Sequence, residues 1–315
     1  MPAIKNTTSR SPPSALRVLK GVRILSLALN LPGPAALMRC KRMGAHCVKL
    51  EPPSPATVTG KPGLAFPPVT GDPMSQYNPG AYAALHQGVR TVAADLKTEA
   101  GQKLLHRELA KADILLTSFR PSAIEKLGLN WKQLHKRYPA LSQVAIVGSA
   151  GSRAEEPGHD LTYLAENDLV TGLDLPATLY ADMGGSVMVS EAVLQATIHV
   201  RSNRKGVLME VALSEAAAYL ALPRRWGLTI PQGPVGGGHA GYRVYRCRNG
   251  RVAVAALEPH FAAALCSAAG VARATGRAML APATHRAIAA FLRTQTREQL
   301  DSLAIAKGIP LLTMA

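Results

Sequence analysis

The chain has 315 residues, 47% of them hydrophobic, which is long enough for two domains and too apolar for wholesale disorder. It contains no run of 18 apolar, uncharged residues of the kind that spans a bilayer as a helix. Its 36 Lys and Arg against 20 Asp and Glu leave a net charge of +16, which favours anionic partners, while 4% aromatic residues leave few stacking platforms for single-stranded nucleic acid.

The first 15 residues, rich in Ser, Thr, Pro and basic side chains, read as a disordered leader. The basic positions Lys5, Arg10, Arg17, Lys20 and Arg23 ahead of the apolar run Ile24–Leu31 loosely resemble a signal peptide. That run is short, broken by Ser26 and Asn30, and lacks a small-x-small cleavage site, so it reads as a buried strand. Pro32-Gly33-Pro34 makes a turn, Ala35–Met43 has helical character, Gly44 stops it, and His46–Leu50 is again strand-like. Strand, helix and strand within about 30 residues make a βαβ unit and predict a parallel sheet. Residues 52–80, rich in Pro and Gly, predict a long exposed loop.

The alternation resumes with a strand at Thr91–Asp95, a helix at Thr98–Lys111, a strand at Ile114–Thr117, helical character over Ile124–His135 and a strand at Ser142–Val147. A polar loop, Gly148–Pro157, leads to an amphipathic segment at Asp160–Leu169. Gly184–Arg201 is the longest helix-compatible stretch, and Val207–Leu213 alternates as a strand. Ser214 caps a helix to about Leu222. Five glycines between Gly233 and Gly241 predict a mobile loop or close backbone approach. Tyr242–Arg246 and Val252–Ala256 form a hairpin whose Asn249-Gly250 suits a primed two-residue turn, and the chain from His260 reads as helical. The expected fold class is α/β. A Rossmann-like parallel-sheet domain covers residues 16–200, a linker 201–225, and a smaller α+β domain 226–315.

Cys40, Cys47, Cys247 and Cys266 are too few for a disulfide framework and show neither a CxxC pair nor zinc spacing. They read as buried thiols in a reducing cytosol, so the expected location is cytoplasmic and no metal is expected.

Several segments, in order over residues 19–260, resemble the family III CoA-transferases, the group that includes carnitine and formyl-CoA transferases and α-methylacyl-CoA racemases. They are Leu19–Leu25 with Leu31-Pro32-Gly33-Pro34; Gly44-Ala45 with Val48–Pro53; Asp95-Leu96-Lys97-Thr98; Ala112–Leu115; and Phe119-Arg120-Pro121 with Leu127-Gly128-Leu129. Gly158-His159-Asp160, Ala181–Gly185 and Leu257-Glu258-Pro259 complete the pattern. The resemblance implies a Rossmann-like large domain, a small domain, an interlocked homodimer, and coenzyme A, carried as an acyl-CoA substrate, bound at the domain boundary.

In the transferases that this chain resembles, the residue matching Asp182 attacks the thioester to give a mixed anhydride and then an enzyme-bound CoA thioester, which a second carboxylate resolves. A carboxylate at a helix start is favoured in its ionised form by free N–H groups and the helix dipole. The same position is a common helix-capping site. In the racemases, residues matching His159 and Asp182 act as an acid/base pair across the α-carbon, and the one matching Glu258 orients the His. CoA contacts are expected at Arg90, Arg120, Asp160 and the Gly184-Gly185 backbone, with Gly233–Gly241 as a further source of oxyanion donors.

Departures from the family pattern are visible. Its Asn-Arg pair and Lys near Arg90 are replaced by His86, Gln87 and Val89. Its aromatic-Gly loop becomes Val147–Ser152 followed by Glu155-Glu156, and acidic positions of the first helix become Arg39, Lys41 and Arg42. The chain also stops before the family's usual C-terminal segment. CoA transfer to a carboxylate acceptor is the leading expectation, and α-methylacyl-CoA racemisation the alternative. A catalytically weakened homologue and a basic binding protein stand behind them. The basic residues are spread, densest at Arg201–Lys205, Arg224-Arg225 and Arg243–Arg248, so neither a specific nucleic-acid nor a membrane partner is expected.

Overall fold

A computed structural model describes residues 16–54, 70–272 and 276–315. The 1–15 leader and residues 55–69 of the Pro- and Gly-rich stretch lie outside the described residues. The chain divides into two compact units, the first ending at Leu220 and the second running from Ala221 to Ala315.

The first unit is built on six parallel strands: β1 (Arg23–Ser26), β2 (His46–Glu51), β3 (Arg90–Ala93), β4 (Ile114–Thr117), β5 (Ser142–Val147) and β6 (Leu208–Ala212). Their order is β3-β2-β1-β4-β5-β6. The connecting helices are α1 (Pro32–Arg42), α2 (Pro73–Tyr77), α3 (Pro79–Leu85), α4 (Glu99–Leu109), α5 (Pro121–Lys126), α6 (Trp131–Arg137), α7 (Asp160–Glu166) and α8 (Tyr180–Asn203), with α9 (Leu213–Leu220) after β6.

Buried on both faces, the central strands carry nearly continuous apolar runs, and all four residues of β4 are buried. Successive side chains alternate between two cores. Ile24, Ile114, Leu116 and Ile146 pack with α1 and α8, whereas Leu25 and Leu115 pack with Leu105, Leu109 and Leu134 of α4 and α6. Pro32 begins α1, where its missing N–H costs nothing. Gly33 follows because a Cβ there would overlap Ala28, so this turn requires glycine. Arg39, Lys41 and Arg42 fall in the last turn of α1, where cations suit the helix dipole. Arg39 also donates from Nε to Ser190 Oγ of α8 at 3.1 Å, so this departure from the family pattern has a structural use.

The strand expected at Val207–Leu213 pairs with β5 as the edge of the large sheet, and it falls inside the span read as a linker. Because the connection after β3 returns to the other side of β1, strand order reverses between β1 and β4. Open α/β sheets form crevices at the carboxyl ends of the strands at such a point.

The second unit contains α10 (Leu222–Arg225), β7 (Tyr242–Cys247), β8 (Gly250–Ala255), α11 (Pro259–Ala268), α12 (Pro282–Thr294), α13 (Arg297–Lys307) and β9 (Leu311–Met314), its strands ordered β7-β8-β9 and antiparallel. The hairpin forms as expected, but its turn differs. Cys247 pairs with Gly250, leaving Arg248 and Asn249 as the link, and neither has a positive φ, so the turn is not a primed one. Asn249 is held instead by a tertiary contact, its Oδ1 accepting the Arg297 N–H at 2.8 Å. The end of the chain is not all helical: Leu311–Met314 adds a strand to β8. The five-glycine segment is a close backbone approach, since a Cβ on Gly236 would overlap the Ile230 carbonyl and one on Gly241 that of Ala256.

All four cysteines are buried. Burial pushes the Cys40 and Cys47 thiols up to about 12, which keeps them protonated and unreactive. No helix among the described residues is long and apolar enough to cross a membrane.

Candidate active site

A cleft of about 530 Å³ opens at the switch point of the first unit, within the usual size range of small-molecule sites. Its walls come from the segments after β1 (Leu29–Pro32) and after β4 (Ser118–Arg120) and from the end of β5 with the next residue (Val147, Gly148), closed by the starts of α7 and α8. His159, Asp160, Asp182 and Arg120 all line it. Four of the residues expected from the sequence therefore converge, from three separate stretches of chain.

Asp182 lies in the first turn of α8, and its backbone N–H donates to Asp160 Oδ1 at 2.9 Å. Asp160 is buried at 5% exposure and opens α7, where a carboxylate faces the positive end of the helix. Two acidic groups meeting in a partly closed cleft oppose each other's ionisation. Burial first, and the neighbouring Asp160 second, push the Asp182 carboxyl up to about 6. This corrects the expectation that its position at the helix start dominates. At pH 7 Asp182 is still mostly ionised, hence a competent nucleophile, and its pKa is also close enough to neutrality for proton transfer.

Replacing Asp160 with Asn keeps an oxygen for the Asp182 N–H and removes the like charge. The titration midpoint of Asp182, followed by the carboxyl ¹³C shift, should then move below 6, with burial still holding it above the usual carboxylate range. An unmoved midpoint would show that Asp160 does not tune Asp182.

His159 is exposed at the N-terminus of α7, fixed there by its own N–H donating to Thr162 Oγ1 at 3.0 Å and by the Thr162 hydroxyl donating to the His159 carbonyl at 2.7 Å. Gly158 precedes it because a Cβ there would press into the Tyr163 ring at 2.6–2.8 Å, and Gly148 is opposed to the same ring. Arg120 stands exposed at the N-terminus of α5, whose Ser122 N–H and hydroxyl both donate to Glu155, at 2.6 and 3.0 Å. Glu155, a departure from the family pattern, thus caps the helix that carries Arg120.

Other expected residues lie elsewhere. Arg90 opens β3 at the amino end of the sheet, away from the carboxyl-end cleft, and pairs with Glu108 at 3.4 Å. Gly184 and Gly185 belong to the second turn of α8, and their hydrogens face α9: a Cβ on Gly185 would overlap Leu213, and one on Gly184 would crowd Leu220 at 3.1 Å. Glu258 is in the second unit, immediately before α11, and its carbonyl accepts the Ala262 N–H at 2.9 Å.

The cleft also contains residues that the motifs do not single out. Tyr77 and Asn30 meet at the rim, the phenol donating to Asn30 Oδ1 at 3.2 Å. Asn30 has a φ of 62°, a left-handed conformation tolerated by Asn better than by most residues. Its N–H donates to Asp72 Oδ1 at 3.2 Å. Asp72 is fully buried and forms an ion pair with Lys49, itself fully buried in β2.

The Lys49 ammonium has three partners: Asp72, Glu51 Oε2 at 3.1 Å and His86 Nε2 at 2.9 Å. His86 donates from Nδ1 to the Tyr82 carbonyl at 2.7 Å, so Nε2 is the acceptor, and burial followed by the Lys49 charge lowers the pKa of the ring and keeps it neutral. Tyr82 donates to Glu51 Oε1 at 2.8 Å. A buried polar network thus underpins the cleft rim, with Glu51 Oε2 held by the Lys49 ion pair and by no hydrogen bond. Its signal in the sequence is two charged residues, Lys49 and Glu51, on one face of a strand that must be buried.

The family model for CoA-transferase family III matches residues 19–314. The cinnamoyl-CoA:phenyllactate CoA-transferase of Clostridium sporogenes is 29% identical over 64% of this chain and 50% of its own length. The alpha-methylacyl-CoA racemase of Mus musculus is 29% identical over 81% of this chain and 65% of its own. The chain therefore spans between half and two thirds of these curated relatives. A hypothetical protein from Mycobacterium tuberculosis has the same fold, with a TM-score of 0.76 over 94% of this chain and 85% of that one at 23% identity. A CAIB/BAIF family protein from Brucella suis superposes with a TM-score of 0.72 over 93% of this chain and 82% of that one at 22% identity. With a family model covering nearly its whole length and the parallel-sheet fold of these structures, this chain belongs to CoA-transferase family III.

Proposed function

We propose that the chain acts on acyl-CoA thioesters and moves CoA between carboxylic acids through Asp182. The observation that carries this reading is the Asp182 carboxylate in the switch-point cleft, mostly ionised at pH 7 yet partly desolvated. The carboxylate attacks the thioester carbonyl, the C–S bond breaks, and an aspartyl anhydride and a CoA thiolate result. The thiolate then attacks the aspartyl carbonyl and releases the acyl group as a carboxylate. An incoming carboxylate takes CoA by the reverse sequence, so each step exchanges one acyl bond for another. Arg120 is the cleft cation suited to an anionic part of the substrate. In this reading the chain works as a homodimer in the cytoplasm.

A second reading rests on one specific observation: His159 and Asp182 line the same cleft, and the Asp182 pKa of about 6 suits a proton carrier. In it one of the pair removes the α-proton of a 2-methylacyl-CoA and the other returns one from the opposite face.

The test combines two traps. The full chain is incubated with a panel of acyl-CoAs and hydroxylamine, and the Asp182 peptide is weighed. A hydroxamate on Asp182 supports transfer. Deuterium entering the α-carbon from D₂O, with no adduct and no need for an acceptor, supports racemisation. Neither result with any acyl-CoA would overturn both.

A further inference from the structure

The charge excess is concentrated. The second unit holds 12 of the 36 Lys and Arg but only three of the 20 acidic residues, a net +9 in 95 residues, and 11 of those 12 bases are arginine. Four of them converge. On α12 the inward positions are Thr284, Ile288 and Leu292, so Arg286, Ala289 and Arg293 fall together along one flank. Arg286 and Arg293 stand about 10 Å apart, two turns along the helix. This flank faces β7, the edge strand of the small sheet. Because the groove follows the open edge of β7, both Arg243 and Arg246 reach it although they lie on opposite faces of the strand.

The resulting groove, about 410 Å³, has Val244, Tyr245 and Ala289 as its apolar part and contains no acidic residue. An adjoining hollow of about 590 Å³ shares Arg243, His285 and Arg286 and adds Leu280 and Pro282, again without an acid. Several bases elsewhere in the protein are paired with acids: Arg153 lies 2.8 Å from Glu156 and 2.6 Å from Glu166, and Lys103 lies 2.6 Å from Glu99. Among the described residues none of the four groove arginines forms an ion pair, and Arg243 donates to the Gly237 carbonyl at 3.2 Å. Four like charges around one concavity create a positive potential that an anion seated among them relieves.

We propose that this groove of the second unit binds a small anion carrying two or more adjacent phosphate groups. Arginine forks match phosphate oxygens in pairs, and four arginines spread along one groove match the charge and oxygens of adjacent phosphates better than those of a single one. The site lies entirely in the second unit and does not depend on the Asp182 chemistry.

The test is calorimetric titration of the full chain with inorganic tripolyphosphate. Binding should weaken at least about tenfold in the Arg243→Gln, Arg286→Gln double variant, since each removes a charge-assisted contact. The control pair Arg248→Gln, Lys307→Gln removes the same net charge from exposed positions outside the groove and should weaken it less than about threefold. Asp182→Asn should leave it unchanged. CoA that displaces tripolyphosphate identifies the phosphates of a CoA molecule as the natural source, whereas CoA that does not displace it points to a free oligophosphate. Either result supports the site. No binding, equal loss in the control pair, or stronger displacement by random duplex DNA than by either small anion would overturn it.

Discussion

Asp182→Asn should abolish the aspartyl adduct and, in the same protein, raise resistance to unfolding above pH 6. The two effects share one cause. Asn cannot form the anhydride, so transfer should fall by at least about a thousand-fold, as expected for loss of a covalent nucleophile. The stability gain follows from linkage. The folded chain raises the Asp182 pKa from 3.8 to about 6, so it binds that proton more tightly than the unfolded chain does. Stability from this group is fully present below pH 3.8 and is lost as pH rises through 6. Above that, wild type bears the cost of a desolvated charge beside Asp160, and the variant does not.

With the side chain partly exposed, the expected gain at pH 8 is about 1–3 kcal/mol, which corresponds to several degrees in Tm. Urea unfolding at pH 8 and pH 4.5 provides the check, and the gain should shrink at the lower pH. A gain equal at both would assign it to packing instead. Loss of stability at pH 8 would mean that the carboxylate is held by contacts other than the Asp160 pair.

The backbone of this site is legible in the sequence because it is local. Apolar runs at Ile24, Ile114 and Val144, separated by helical stretches, require a parallel sheet, and the motif residues His159 and Asp182 fall where its strands end. Electrostatics are not local. The Asp182 shift depends first on burial in the folded cleft and second on Asp160, which is 22 residues away and meets it through the α7–α8 approach. Gly184-Gly185 looks like a catalytic loop beside an acid, but the required space is set by Leu213 and Leu220 across a helix interface. Arg90 matches a family position, yet β3 places it at the opposite end of its strand from the cleft. The short strand Leu311–Met314 carries too few residues for periodicity to tell strand from helix.

The largest stability effect should come from a residue that no catalytic motif includes. Lys49→Met preserves most of the side-chain volume but deletes the only cation facing Asp72 and Glu51 among the described residues. Two carboxylates at 0% and 3% exposure would then lack a counter-charge, and His86 Nε2 would lose its donor. Breaking a buried pair from one side costs about 3–5 kcal/mol, against a total stability of about 5–15 kcal/mol for an ordinary domain. Part of that cost disappears when the stranded carboxylates take up protons, so the deficit should be smaller at pH 5 than at pH 8.

The cleft should respond as well. Asp72 holds the N–H of Asn30 in its left-handed turn, and Asn30 receives the Tyr77 phenol at the rim. A stranded Asp72 that protonates is a weaker acceptor, which loosens that turn. Urea unfolding at both pH values, with amide exchange at Asn30 as the local readout, tests the chain of contacts. A deficit below about 1 kcal/mol, or one independent of pH, would show that the Lys49 network is not what holds the rim of the cleft.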